Sequence, residues 1–155
     1  MTHSAVQGEF RIQPAEHTHS AAIQALVRSS GINPTGLAWE RFLVALDAAG
    51  ELIGCVQIKP HRDGSRELAS LAVAPQWQSR GVARALVEAI LAQHPGTLYL
   101  MCQARLGVFY EKFGFSRIRA DEMSTYFRRI SKLAGVVLAM RAAEEQLLIM
   151  RRDAQ

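Results

Sequence analysis

The sequence is poor in several residue types and patterns that often reveal a function. It has two cysteines among 155 residues, Cys55 and Cys102, and each stands inside a mostly apolar run. We therefore expect buried free thiols rather than a disulfide, and without convergent Cys, His or carboxylate spacing we expect no bound metal. Neither the GxGxxG nor the GxxxxGK[ST] fingerprint occurs, so the motifs do not indicate a dinucleotide or a nucleoside triphosphate as the ligand.

Long apolar runs are missing as well. The longest is far shorter than the roughly 20 residues that a membrane helix needs, and residues 1–9 lack the apolar stretch of a secretory signal. We therefore expect no membrane partner, a cytoplasmic location and flexibility in residues 1–8. Because 49% of the residues are hydrophobic, the chain can build the core of one domain, which we expect to span residues 1–155.

Basic residues are in moderate excess, with a formal net charge of +4. No recognition element rich in arginine and aromatic residues accompanies the excess, so the sequence does not favour a nucleic acid as the partner. A nucleic-acid-binding alternative would depend on Arg128, Arg129, Arg151 and Arg152. An acidic cofactor is the simpler explanation of the charge.

The most informative feature is a strand that proline stops and that leads directly into a helix. Residues 66–73 are mostly apolar and predict the strand, which Pro75 ends because it has no N–H to donate. Apolar positions that recur at three- and four-residue steps predict a helix over residues 79–94. Near its start, the small residues Gly81 and Ala83 leave the free amides and the helix dipole open to a phosphate group.

A glycine inside a first helical turn costs about 0.5 to 1 kcal/mol relative to alanine. Close approach of a ligand to Gly81 would justify this cost, whereas an ordinary loop with Ser79 as the N-cap is the alternative. Arg80 and Arg84 lie one turn apart on the same helix. They either face the phosphates or form a solvated basic face.

These residues resemble a motif of the GNAT superfamily of acyl-CoA-dependent N-acetyltransferases. Gln78, Gly81 and Ala83 match the family's Q/R-x-x-G-x-G/A pattern behind the strand that ends before Pro75. About 30 residues further on, residues 109–115 read FYEKFGF, similar to the family's F-Y-x-K-x-G-F. The two motifs in this order are specific together, and the resemblance extends from about Arg11 to Ile118.

The resemblance implies an α/β (α+β) fold: a GNAT-like mixed, mostly antiparallel sheet of about six to seven strands with a central strand–helix–strand unit that binds coenzyme A. It implies direct transfer of an acetyl group from acetyl-CoA to a primary amine of a small molecule or a protein. A non-catalytic module that binds or senses acyl-CoA is the alternative. The sequence leaves open whether a homodimer forms through the C-terminal segment. The positions that we expect to bind the cofactor are Leu71, Ala72, Val73, Gln78, Ser79, Arg80, Gly81, Val82, Ala83, Arg84, Gln103 and Tyr110.

Amine acetylation needs an uncharged nitrogen, which for a lysine at pH 7 is a handicap of about 4.6 kcal/mol. Glu67 is our candidate base, because on a regular strand it shares a face with Val73 and could relay a proton through water. A surface carboxylate without a chemical role is the alternative for Glu67, and Asp121 and Glu122 are less favoured rivals.

The departing thiolate needs a partner too. The resemblance nominates Tyr110 as the acid or the hydrogen-bond donor, and a core aromatic residue beside Phe109 and Phe113 is the alternative for it. Gln103 stands where many relatives carry an asparagine that contacts the pantetheine arm, and this difference leaves that contact in doubt.

The remaining elements follow from periodicity. We predict a helix over residues 16–30, a helix over residues 124–143 that Gly135 divides, and a turn at residues 62–65. His61, beside this turn, has no evident partner in the sequence. A helical addition over residues 121–143 is read as a lid on the acceptor pocket or as a packing helix, with Leu133 on its apolar stripe. Strands are predicted over residues 9–14, 42–46, 52–59, 98–101, 115–119 and 147–150.

Overall fold

The computed structural model describes residues 9–138 and 146–155, with side chains for all of these except residues 134–138. The flexibility expected of residues 1–8 and the part of the helical addition at residues 139–143 lie outside the described residues.

The described chain alternates strands and helices in a mixed order. Its strands are β1 (Phe10–Pro14), β2 (Phe42–Asp47), β3 (Leu52–Pro60), β4 (Arg66–Val73), β5 (Leu98–Gln103), β6 (Ser116–Arg117) and β7 (Leu147–Arg152). Its α-helices are α1 (Ser20–Ser29), α2 (Val82–Gln93), α3 (Gly107–Glu111) and α4 (Thr125–Leu138).

The seven strands form one hydrogen-bonded sheet in the order β1-β2-β3-β4-β5-β7-β6. The β1–β2, β2–β3, β5–β7 and β6–β7 pairs are antiparallel. β4 and β5 are parallel, with Glu67 opposite Tyr99, and α2 makes the crossover between them, as parallel neighbours require. The predicted fold class, a mostly antiparallel sheet around one strand–helix–strand unit, is confirmed.

The chain divides into two compact units. The first unit comprises the described residues as far as Lys59 together with Leu68–His94. One of its apolar clusters joins α1 to the sheet through Ala15, Ile23, Val27, Phe42, Val44, Leu46, Cys55 and Ala72. On β3, a Cβ atom at Gly54 would lie 3.0 Å from side-chain atoms of Leu86 and Val82, so the missing side chain lets α2 pack closely on this strand.

The second unit comprises Pro60–Glu67 and the described residues from Pro95 to Gln155. Ile118, Met123, Phe127 and Ile149 form a buried cluster in it, and Phe127, on α4, is fully buried. α4 is therefore held to its own unit by an aromatic anchor in its first turn.

Several predicted element limits were wrong. The first helix begins with a 3-10 turn, His17–His19, before α1, and the strand predicted over residues 115–119 shrinks to β6. α4 runs through Gly135 without a break, because one glycine weakens a helix without ending it. Leu133, placed on the apolar stripe, is 71% exposed. Among the described residues, no helix has both the length and the apolar character needed to cross a bilayer.

Candidate active site

The backbone between β4 and α2 has an unusual course. A single 3-10 turn, Pro75–Trp77, follows β4. Ser79 and Gly81 then take left-handed conformations, with φ angles of 64° and 84°. α2 begins at Val82, and the Gly81 carbonyl accepts its first hydrogen bond, from the Ala85 N–H at 3.0 Å.

The N-terminus of α2 has no side-chain cap among the described residues. The amides of its first turn, from Val82 to Arg84, have no acceptor within the helix. Ser79 and Gly81 are left-handed, and Arg80 between them has an ordinary φ. Such an alternation points successive N–H groups toward one side, a backbone shape that binds anions. The helix dipole adds positive potential there, so this stretch suits a phosphate group.

The reason for the glycine at position 81 differs from our expectation. Gly81 is the N-cap of α2 rather than a residue inside its first turn, and its φ of 84° is one that side chains with a Cβ rarely adopt. The helix starts three residues later than predicted, because the left-handed Ser79 and Gly81 do not continue a right-handed helix. A Cβ built on Gly81 would meet nothing within 4 Å, so the space above it is open to a ligand.

The side chains around this loop are exposed and make mostly local contacts. Arg80 lies over the Trp77 ring at 5.0 Å and pairs with Glu9 at 3.2 Å. Arg84 pairs with Glu88, one turn along α2, at 3.1 Å. Gln78 donates to the Val73 carbonyl at 3.3 Å. Exposed ion pairs of this kind contribute little to stability, so both guanidinium groups are free to exchange their partners for a phosphate.

A third left-handed residue lies inside β4. Ser70 has a φ of 58°, and such a residue interrupts the regular alternation of strand side chains. A regular strand would place Glu67 and Val73 on one face, and that argument fails at Ser70. Glu67 is 5% exposed, so its carboxylate is buried rather than on the surface.

The buried Glu67 pairs with a histidine. His61 Nε2 lies 2.8 Å from Glu67 Oε1, and both side chains are less than a tenth exposed. The prediction that His61 lacks a partner was therefore wrong. A carboxylate that holds one imidazole nitrogen fixes the tautomer of the ring and leaves the other nitrogen for a second proton transfer.

The first turn of α4 covers this pair. The Tyr126 ring stacks on the His61 ring with centroids 3.6 Å apart, and the Tyr126 N–H donates to Asp63 Oδ2 at 2.9 Å. Burial raises the pKa of the Tyr126 phenol, and the Glu67 and Asp63 carboxylates raise it further. Burial opposes the charge of Asp63, yet bonds from Ser65 and from the Tyr126 amide hold its pKa below the ordinary range. Asp63 thus caps α4 as an anion.

Tyr110 lies on α3 and is 8% exposed. Its ring makes edge contacts with Phe109 and Phe115, with centroids 5.0 and 6.2 Å away. Burial raises the pKa of the phenol well above its usual value, and the Cys102 thiol adds to the increase. The hydroxyl therefore stays protonated at neutral pH. It is suited to donating a hydrogen bond to a thiolate rather than to giving up its proton.

The remaining predicted cofactor positions are spread over both units. Leu71 and Val73 are half-buried on β4, Ala72 between them is buried, and Val82 and Ala83 open α2. Gln103 ends β5 with an exposed side chain whose Oε1 accepts from Arg105 Nε at 3.0 Å.

The arginines of the nucleic-acid alternative mostly bind the protein itself. Arg128 donates to the carbonyls of Ala120 and Met123, and Arg152 donates to the Phe113 carbonyl at 2.9 Å. Arg151 donates to the Glu122 carbonyl and pairs with Asp153. Three of the four guanidinium groups thus brace loops and strand ends.

Sequence reasoning missed two features of this region. His61 and Glu67 lie at opposite ends of the turn between β3 and β4, and a polar pair that flanks a predicted hairpin turn was the available signal. Ser70 gave no signal, because a serine in an apolar strand says nothing about its φ.

The two thiols are free and buried, as predicted. Burial raises the pKa of Cys55 to about 12 and that of Cys102 to about 11. Thiolates, not thiols, are nucleophilic, so neither cysteine is suited to carry an acyl group. Within the described residues, no group of three or more His, Cys, Asp or Glu side chains is arranged for a metal ion.

We expect the native protein at pH 8 to react slowly with an aromatic disulfide reagent, because only about one thiol in a thousand or fewer is ionised at these pKa values. In denaturant both thiols should react at the rate of a free cysteine. Absorbance of the released aromatic thiol measures both rates. Fast labelling of either cysteine in the folded protein would contradict the buried assignment.

Comparison with known proteins adds family evidence to this geometry. The family model described as Acetyltransferase (GNAT) domain matches residues 38–117, just over half of the chain. This segment includes β4, the loop with Ser79 and Gly81, α2, and Tyr110. No curated protein sequence matches the chain significantly.

Similar solved structures agree on the fold. N-acetylglutamate synthase from Neisseria gonorrhoeae, complexed with coenzyme A and N-acetyl-glutamate, has a TM-score of 0.74 at 21% identity over 96% of this chain, which spans only 36% of that chain. Rv2747 from Mycobacterium tuberculosis, in complex with CoA and NLQ, has a TM-score of 0.70 at 19% identity, covering 93% of this chain and 99% of that one. Ard1 from Thermoplasma volcanium has a TM-score of 0.66 at 15% identity, covering 95% and 99%. At these identities the likeness shows the fold, and together with the family match over residues 38–117 it leads to one conclusion: the chain belongs to the GNAT acetyltransferase family.

Proposed function

We propose that this protein is an acetyl-CoA-dependent N-acetyltransferase that transfers the acetyl group directly to an amine. The observation that carries the proposal is the start of α2, where left-handed Ser79 and Gly81 leave the first-turn amides uncapped. Open space over Gly81 and a chain segment that matches the GNAT family model support a coenzyme A diphosphate as the ligand of these amides.

The chemistry assigns separate tasks to the remaining residues. As the amine nitrogen forms its bond to the thioester carbonyl, the bond from that carbon to sulfur breaks, and the nitrogen must lose a proton. We assign that proton to the Glu67–His61 pair, which acts as one unit because the two groups share a 2.8 Å hydrogen bond. The Tyr110 hydroxyl donates a hydrogen bond to the departing thiolate, and the backbone at Leu71–Val73 is assigned to the acetyl carbonyl and the pantetheine arm, as the family resemblance implies.

The acceptor is proposed only as a primary amine. One similar structure is complexed with coenzyme A and N-acetyl-glutamate, so L-glutamate belongs in a test panel with other amino acids, polyamines and lysine peptides. Acetyl-CoA consumption followed by thiol release would identify the amine. Tight coenzyme A binding without turnover of any amine would favour the non-catalytic acyl-CoA module instead.

One prediction concerns the loop between β4 and α2 that contains Ser79 and Gly81. Replacing Gly81 by Val should weaken coenzyme A binding at least tenfold, because a Cβ in the left-handed region costs about 1–2 kcal/mol and would displace the amides that bind the diphosphate. Isothermal calorimetry measures the affinity. Gly50→Val is the matched control, since Gly50 has a φ of 81° and nothing within 4 Å of a built Cβ but lies in the turn between β2 and β3. Equal affinity in both variants would remove the α2 amides from the proposal.

The second prediction concerns Tyr110. Tyr110→Phe keeps the ring packed on Phe109 and Phe115 but removes the hydroxyl, so kcat should fall by about 10- to 100-fold while coenzyme A affinity stays within about twofold. Steady-state thiol release and calorimetry give the two numbers. Tyr99→Phe, which removes a hydroxyl from a half-buried ring stacked on Phe127, is the control. An undiminished kcat in Tyr110→Phe would reduce this tyrosine to a core aromatic residue.

The third prediction concerns the Glu67–His61 pair. Glu67→Gln and His61→Asn should each lower kcat/KM by roughly 10²- to 10⁴-fold, and the double variant should be little worse than the poorer single variant, because groups that act as one unit are not additive. His19→Asn is the control, as the His19 side chain accepts from an exposed backbone N–H, that of Glu16. If the loss of kcat/KM in the double variant equals the product of the two single losses, the two residues act separately.

A further inference from the structure

The left-handed Ser70 of β4 is held in place by two side chains of β3. The Cys55 thiol donates to the Ser70 carbonyl at 3.4 Å, and Gln57 Nε2 donates to Ser70 Oγ at 2.9 Å. Burial keeps the Cys55 thiol protonated, with a pKa of about 12. A residue in a sparsely populated conformation persists only where its surroundings determine it. At Ser70, the backbone carbonyl and the side-chain hydroxyl are both hydrogen-bonded by β3.

Gln57 is saturated by its partners. It is fully buried, at 0% exposure, and its amide nitrogen gives one hydrogen to Ser70 and the other to the Gly36 carbonyl at 3.1 Å. Its amide oxygen accepts from Arg41 Nε at 3.0 Å. A buried amide with both donors and its acceptor engaged is costly to replace and fixes the geometry of every group that it touches.

The same network reaches the loop between α1 and β2. Arg41 Nη2 also donates to the Gly36 carbonyl, at 2.8 Å, and Lys59 Nζ donates to the Thr35 carbonyl at 3.0 Å. Gln57 thus joins two irregular stretches of backbone in the first unit, the loop at Thr35 and Gly36 and the interruption of β4 at Ser70. The regular elements that flank them do not supply these bonds.

We propose that Gln57 is a positioning residue for the acetyl-CoA site: by holding Ser70 left-handed and tying it to Gly36, it aims the backbone of Leu71–Val73 at the coenzyme. The inference rests on the proposed function, because only then does the backbone after Ser70 meet a ligand. It adds a residue that touches no substrate and that no family motif in the sequence marks.

The test is a rescue experiment, since glycine adopts a positive φ without help. Gln57→Leu should raise the KM for acetyl-CoA and the Kd for coenzyme A by about tenfold, the loss of about one net hydrogen bond. In a Ser70→Gly background the same substitution should change both constants by less than about twofold, because a glycine at this position needs no partner to stay left-handed. A merely structural role predicts no such rescue, since removing a buried amide destabilises the fold in either background.

Gln24→Leu is the matched control, because Gln24 is a half-buried amide on α1 whose bond, to Ser20, stays within its own helix. It should leave both constants unchanged. If Gln57→Leu does not fold, Gln57→Met, which keeps the length of the side chain, replaces it in both backgrounds.

The inference is overturned if Gln57→Leu leaves the KM and the Kd unchanged in the Ser70 background, or if it raises both just as much in the Ser70→Gly background. In either case, coenzyme A binding by the parent protein leaves the proposed function standing. Absence of coenzyme A binding by the parent protein overturns both.

Discussion

A right-handed helix begins only after the last residue in the left-handed region, and the rest of the candidate site depends on this steric constraint. Ser79 and Gly81 place the start of α2 at Val82. The amides that follow are then left without acceptors in the helix. The preceding strand, ended by Pro75, and the apolar face of α2 serve to bring this short piece of backbone to a fixed place in the first unit.

Buried polar contacts supply the second level of organisation. In the first unit, Gln57 satisfies the left-handed Ser70. In the second, His61 satisfies the buried Glu67. The first contact joins β3 to β4, and the second joins the turn after β3 to β4. Both stabilise buried polar groups that would be unfavourable in a purely apolar core. A low-dielectric surrounding strengthens such bonds and makes the loss of one partner costly.

Much of the architecture was predictable from the sequence. The bounds of β4, the hairpin of β2 and β3, and the burial of both cysteines follow from apolar runs and turn residues, which act locally. The late start of α2, the left-handed Ser70 and the partner of Glu67 do not, because a φ angle and a contact across a turn depend on the folded neighbourhood. Leu133 shows the same limit, since its helical position predicted burial although 71% of it is exposed.

The missing side chain at Gly54 has an effect beyond its own strand. A Cβ atom at Gly54 would lie 3.0 Å from the Val82 and Leu86 side chains, so even a methyl group on β3 would force these two side chains of α2 to give way. The distance between β3 and the start of α2 therefore depends on a residue that carries no charge and no reactive atom. Gly54 thus influences the position of the uncapped amides through packing alone.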